Sequence, residues 1–206
     1  MHRKPSDFIK DKVAMEAALL LYTQQEKEFK QAKRRAAKTL ASRMLPSNKD
    51  IAQELDKIAD DMEGPARKER LAQMRKSALS IMVMLGEFHP RLVGSVWRGT
   101  SHKNSDIDIE VFTTEHAKVL GRLKQNSFLV RKAELQSVTK GNENEKAFHI
   151  YLALPPKYEV ELVVRDPEKI DEVDMCETYG DPIKGLRIHQ LRRILLINPT
   201  QKFVPT

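Results

Sequence analysis

The sequence predicts an α+β protein in which an all-helical N-terminal region precedes a mixed β-sheet flanked by helices. Three observations carry this. Residues 1–90 repeat apolar side chains at helical spacing, with none of the alternation of a strand. From Arg91 onward, short stretches alternate apolar and polar residues, the period of a half-buried strand. Helical spacing then returns at Glu115 to Gln125 and from about Ile183 to Ile197. A helical block followed by strands with interspersed helices divides the chain into 1–89 and 90–206.

The elements follow in order. No Gly or Pro occurs between Phe8 and Met44, where Val13, Ala17, Leu20 and Leu21 and then Phe29, Ala32, Ala36 and Leu40 form an apolar stripe. This predicts one helix that stops before Pro46, since proline disfavours the α conformation in the residue before it. Ser47 with Asp50 three positions on is a helix-starting pair, Ile51, Leu55, Ile58 and Met62 share a face, and Gly64-Pro65 ends that helix. A third helix turns Leu71, Met74, Ala78, Ile81, Met82 and Leu85 inward and stops before Pro90; its methionines are core residues by spacing. Leu92 to Ser95 reads as a short strand and Ile107 to Val111 as a half-buried one. Three further strands follow at Phe128 to Val138, Phe148 to Leu154 and Tyr158 to Val164, with a turn at Lys140 to Asn144.

Composition excludes several classes. A chain of 206 residues, 40% hydrophobic and 32% charged, builds a core without staples, and the lone Cys176 leaves no disulfide framework. The apolar run Ala17 to Tyr22 follows Glu16 and is too short for a signal segment or a bilayer span, which predicts a cytoplasmic protein with no membrane partner. The net charge is +7, and residues 1–90 hold 18 Lys/Arg against 13 Asp/Glu. That balance suits a polyanionic partner such as RNA or an NTP. Lys27, Lys30, Arg34 and Lys38 fall near one helical face, with Lys33 and Arg35 adjacent; such a run is ordinarily a solvated face, with phosphate tracking the alternative reading.

The chemistry is concentrated in Gly94-Ser95-Val96-Trp97-Arg98-Gly99-Thr100-Ser101-His102-Lys103-Asn104-Ser105-Asp106-Ile107-Asp108. Gly94 permits close approach of backbone to a ligand, and backbone N–H groups beside the Ser95 hydroxyl suit phosphate oxygens. Arg98 and Lys103 offer positive charge to the same phosphates, and Gly99 permits the turn that brings the chain back. Asp106 and Asp108, two apart on a strand, leave one face and repel unless a cation lies between them. Oxygen ligands beside phosphates select Mg²⁺. Alternating acids alone are ordinarily a solvated face; the Gly94-Ser95 and Arg98-Gly99 pairs upstream lift this pair above that reading. A third carboxylate is available from Glu159 or Glu161, which share a face of the strand Tyr158 to Val164. Glu110 extends the alternation but reads as rim or surface, and Trp97 as loop packing, with base stacking the lesser alternative.

Gly-Ser, ten residues, then Asp-x-Asp resembles the signature of the nucleotidyltransferase superfamily that includes DNA polymerase beta, archaeal CCA-adding enzymes and minimal nucleotidyltransferases. The Arg98-Gly99-Thr100 and Ser105-Asp106-Ile107-Asp108-Ile109 segments are similar too, and the likeness covers about residues 90 to 197. It implies a nucleotidyltransferase-type mixed sheet and transfer of an NMP from an NTP to an acceptor with release of pyrophosphate. It implies two Mg²⁺ ions held by Asp106, Asp108 and Glu161, the last favoured over Glu159 although Glu replaces the familial Asp. It also implies nucleotide contacts from Gly94, Ser95, Arg98, Gly99, Thr100 and Lys103, and from His149, twelve residues before Glu161. The acceptor stays open between an RNA 3′ end, a protein and a small molecule, and a non-catalytic nucleotide- or RNA-binding domain is the third class. Oligomeric state and base preference stay open as well.

Overall fold

The computed structural model describes residues 5–140, 143–155 and 158–205. Its order is α1 (Pro5–Tyr22), α2 (Phe29–Thr39), α3 (Asn48–Glu63), α4 (Pro65–Met84), β1 (Arg91–Val93), α5 (Gly94–Arg98), β2 (Ile107–Phe112), α6 (His116–Gln125), β3 (Leu129–Lys140), β4 (Glu143–Leu154), β5 (Tyr158–Arg165), β6 (Leu186–Arg187) and α7 (Ile188–Ile197). The expected α+β architecture, a helical N-terminal region before a mixed sheet, is what the chain adopts.

The predicted first helix is two. Thr23 to Glu28 supplies six polar residues in a row, so nothing in it anchors a helical turn to a core, and Gln24 takes the left-handed conformation at φ 57°. Thr23 Oγ1 closes α1 by donating to the Leu19 carbonyl at 2.7 Å. The start of α3 follows the expected pairing: Ser47 Oγ accepts the Asp50 N–H at 3.1 Å, and the Asp50 carboxylate accepts the Ser47 N–H at 2.9 Å. Gly64, at φ 54°, ends α3, and Pro65 opens α4 with a φ already suited to a helix.

Six strands form one sheet in the order β3-β4-β5-β2-β1-β6. Only β2 and β5 run parallel, with Asp108 opposite Glu161; the other neighbours are antiparallel. The hairpin of β3 and β4 pairs out to Lys140 and Glu143, so Lys140, Glu143 and Asn144 lie in strands and not in the expected turn; Gly141 and Asn142 lie outside the described residues. Gly94 and Ser95 do not end a strand but open the helical turn α5. The residues before α7 also depart from expectation: Leu186 pairs with Leu92, making a sixth strand too short to show as alternation.

Two apolar clusters result. The smaller joins α1, α2 and α3 through Val13, Ala17, Ala32, Ala36 and Ile51. The larger joins α4, with Leu71, Met74, Ala78, Ile81 and Met82, to Ile107, Ile109, Ile150 and Leu162 of the sheet. Each fully buried Leu, Ile or Met contributes roughly 1.5–3 kcal/mol. Trp97 is buried in this larger core, so it packs and does not stack on a base.

Arginines fasten α4 to its surroundings. Fully buried Arg75 donates to the carbonyls of Val96, Trp97, Pro199 and Gln201 at 2.8–3.1 Å, and burial lowers its pKa to about 10. Arg67 pairs with Asp56 and Asp60 of α3, each at 2.6 Å, while donating to the Thr100 and Ser101 carbonyls. The helical region is thereby tied to the loop between α5 and β2. Among the described residues no helix is long and apolar enough to cross a membrane.

Candidate active site

The strand β2 lies inside the sheet, and its alternation buries Ile107, Ile109 and Val111 while turning Asp108 to the opposite face. Asp106, just ahead of the strand, leaves on that same face. From the parallel neighbour, Glu161 lies in register with Asp108. One carboxylate oxygen from each of Asp106, Asp108 and Glu161 can be chosen so that all lie within 4.8 Å of one another. Glu159 is not part of this cluster: its carboxylate is exposed and pairs with Arg131 at 2.6 Å.

Gly94 explains how Asp108 fits. A Cβ there would stand 1.7 Å from Asp108 Oδ2, and the residue adopts φ +68°, so only glycine lets the carboxylate lie across the turn. The Ser95 backbone N–H donates to that carboxylate. It does not offset what opposes the charge. Burial, then the negative charges of Asp106, Glu161 and Glu110, push the Asp108 pKa well above the usual carboxylate range. Asp106 opens to the cleft, yet partial withdrawal from water and the charges of Glu161 and Glu159 raise its pKa as well. Three crowded carboxylates, matched among the described residues by no basic side chain except His149 beside Glu161, have the donor set of a magnesium site.

In front of the Asp pair is a cleft of about 590 Å³. One wall is backbone and side chain of α5, of the loop after it and of the start of β2: Gly94, Ser95, Thr100, Asn104, Ser105, Asp106 and Asp108. The other wall comes from the helical region: Leu21, Gln24, Glu26, Lys27 and Phe29 around the α1–α2 loop, with Ala52, Leu55 and Asp56 of α3. Thr178 and Tyr179, from the segment between β5 and β6, close one end.

Not every residue expected to touch nucleotide is placed to do so. Arg98 borders the cleft, but the residue is only 5% exposed and its guanidinium is already engaged. It makes two bonds to the Asp181 carboxylate at 2.7 and 3.2 Å, donates to the Phe203 carbonyl at 3.0 Å, and lies against the Trp97 and Tyr179 rings. Gly99, at φ +76°, serves the C-terminal tail: a Cβ there would stand 2.7 Å from the Gln201 carbonyl oxygen. Lys103 turns away from the cleft, its ammonium 4.7 Å from the Tyr22 ring and its N–H given to Glu63. His149 lies beside Glu161 and does not line the cleft; its Nδ1 is 2.6 Å from Glu161 Oε1. Gly94, Ser95 and Thr100 are at the cleft as expected. Glu110 is no rim residue: its half-buried carboxylate bridges Arg91 at 2.7 Å and Arg165 at 3.0 Å.

Sequence reasoning missed the α1–α2 loop and the Thr178-Tyr179 wall. The first had a signal in the polar gap between Tyr22 and Phe29, and the second had none.

Comparison with known proteins agrees with this geometry. Residues 90–179 match the family model of the nucleotidyltransferase domain, which takes in β1, α5, β2 and β5 with all three clustered carboxylates. Among curated proteins none matches the sequence. Partial likenesses among solved structures include a cytoplasmic RNA terminal U-transferase, at 17% identity and TM-score 0.34 over 47% of this chain and 29% of that one. The Cid1 poly(U) polymerase is similar at 16% identity and TM-score 0.34, over 47% and 30%. The GLD-2/RNP-8 complex is similar at 15% identity and TM-score 0.34, over 58% and 40%. The matches thus span 29–40% of the length of those proteins. With this match at residues 90–179, the chain carries a nucleotidyltransferase domain.

Proposed function

We propose that the chain transfers a nucleoside monophosphate from an NTP to the 3′ end of an RNA, releasing pyrophosphate, with Mg²⁺ held by Asp106, Asp108 and Glu161. The observation that carries the chemistry is the carboxylate cluster itself, with oxygens within 4.8 Å across two parallel strands and glycine packed under one of them. Two bound Mg²⁺ ions would neutralise the carboxylates and the phosphate oxygens and favour ionisation of the acceptor hydroxyl. The chain's own residues do the rest. The cleft excludes bulk water and holds the triphosphate against Ser95 and Thr100. The acceptor oxygen attacks the α-phosphorus in line, forming the new ester as the bond to the β-phosphate oxygen breaks. The hydroxyl proton passes to the carboxylate cluster, and the pyrophosphate leaves along the cleft.

The RNA acceptor is supported by the basic surplus of residues 1–90 and by Lys30, Arg34 and Lys38, all exposed on one face of α2. The division into a helical part, 1–89, and a catalytic part, 90–206, belongs to the same reading, with α4 as the spine that joins them.

The test is incubation with Mg²⁺ and each α-labelled NTP, with and without total RNA, beside the Asp106→Ala/Asp108→Ala variant. Label moving into RNA, absent with the variant, is the expected result. Label on protein or on a small molecule would replace the RNA acceptor while keeping the chemistry. Transfer by the double variant would refute the assigned carboxylates.

A further inference from the structure

Charge along the cleft is unevenly spent. The negative side chains that line it from the helical region are already neutralised: Glu26 pairs with Arg35 at 3.0 Å, and Asp56 pairs with Arg67 and Lys202, each at 2.6 Å. The catalytic-domain cation at the cleft, Arg98, is committed to Asp181. His102 also lines it but is held neutral, its pKa lowered to about 4 by burial and by Arg67, Arg70 and Lys103. Among the described residues this leaves Lys27 as the one cation at the cleft with no carboxylate partner. A triphosphate, carrying several negative charges, needs compensation beyond what metal ions supply.

The backbone beside Lys27 is held in place, while its side chain stays exposed. The loop that carries it is fastened by Arg35, which donates to the Gln25 carbonyl, Gln25 Oε1 and Glu26 Oε1 at 3.0–3.4 Å. The backbone N–H groups of Gln25 and Glu26 both return to the Leu20 carbonyl. On the other side, Asn104 Nδ2 donates to the Tyr22 carbonyl at 3.0 Å, tying the end of α1 to the loop that leads into Asp106. The two walls are therefore in fixed relation.

From this arrangement we infer that Lys27 is a triphosphate-binding residue, and that the helical N-terminal region is one half of the NTP site rather than an appendage. The inference rests on the nucleotidyl-transfer reading and adds to it the element that grips the pyrophosphate to be expelled.

The test measures binding of each of the four NTPs, of inorganic tripolyphosphate and of the corresponding NMPs by calorimetry in Mg²⁺, using full-length wild type, Lys27→Ala, Lys27→Arg and the control Lys30→Ala. Lys27 is exposed and makes no internal bond, so its variants should fold as wild type does, which the melting temperature checks. Lys27→Ala should weaken NTP and tripolyphosphate about tenfold, the size of one charge-assisted phosphate contact, and leave NMP affinity nearly unchanged. Lys27→Arg should restore most of the loss, and Lys30→Ala should cause none. Wild-type binding of NTP that Lys27→Ala leaves intact, or an equal loss with Lys30→Ala, would overturn the inference alone. Wild type that takes up none of the four NTPs would remove the transfer reading and this inference together.

Discussion

His149 Nδ1 lies 2.6 Å from Glu161 Oε1, and the other ring nitrogen, Nε2, is buried with no hydrogen-bond partner among the described residues. A ring nitrogen that close to Oε1 lets His149 act on Glu161 from the neighbouring strand β4, on the same face of the sheet. Tyr151 approaches the same carboxylate, and its hydroxyl is 2.9 Å from Gln136 Nε2. Glu161 carries one methylene more than aspartate, and a longer side chain needs more restraint to hold one position. The histidine expected at the triphosphate is better read as the group that supplies that restraint.

His149→Ala should therefore lower kcat about 10–100-fold and raise the Mg²⁺ concentration needed for half-maximal rate, with the NTP KM at saturating Mg²⁺ unchanged. His149→Asn, whose amide can donate from near the Nδ1 position, should recover part of the loss. A raised NTP KM with an unshifted Mg²⁺ dependence would instead return His149 to nucleotide binding.

Gly94→Ala forces a choice between the new methyl and the Asp108 carboxylate, which would share space at 1.7 Å. Displacing the carboxylate is the cheaper response. The variant should lose at least 100-fold in rate while a positive φ on alanine costs only about 1–2 kcal/mol of stability in denaturant titration. Activity retained within fivefold would mean the carboxylate has room elsewhere.

Arg75 donates to four carbonyls of α5 and the C-terminal tail, two of them in fully buried bonds, and among the described residues no acidic group pairs with it. Arg75→Met keeps the bulk but orphans those oxygens, so unfolding free energy should fall by about 3–5 kcal/mol. A loss below 1 kcal/mol would show that the tail 199–203 rearranges to satisfy them.

His102 gives the protein a pH signature. Its folded pKa of about 4 lies below the ordinary histidine value of 6.5, so the unfolded chain binds the proton first as pH falls. Stability from this group is whole above pH 6.5 and declines toward pH 4, by up to about 1.4 kcal/mol per pH unit. The groups facing the ring are Arg67, Arg70, Lys103 and the Tyr22 ring. His102→Asn, which can still accept the Asn104 N–H, should flatten the stability difference between pH 6.5 and pH 4. Parallel curves for the two proteins would contradict the shift.

What was legible in the sequence was local. Gly94-Ser95 and Asp106-x-Asp108 lie within fifteen residues, and strand alternation alone determines that both aspartates face one way. Glu161 was reachable because its strand alternates too, although choosing it over Glu159 depended on family likeness. The failures share a cause in long-range pairing. Arg98 looked like a phosphate ligand because its partner Asp181 lies 83 residues downstream. Glu110 looked exposed because Arg91 and Arg165, which bury it, come from two other strands. The α1–α2 break was readable from its polar run, but that the loop would face the aspartates depended on Arg67 and Asn104 docking the helical region.

Asp106, Asp108 and Glu161 are proposed to form a magnesium-dependent transfer site. The most direct measurement is pyrophosphate release with RNA present, as a function of Mg²⁺, for wild type and for Asp108→Asn, which keeps shape and removes charge. Release should require Mg²⁺ in wild type and fall at least 1000-fold in Asp108→Asn, with the melting temperature equal or higher because a buried repulsion has been relieved. Release that persists in chelator, or in Asp108→Asn at near wild-type rate, would contradict it.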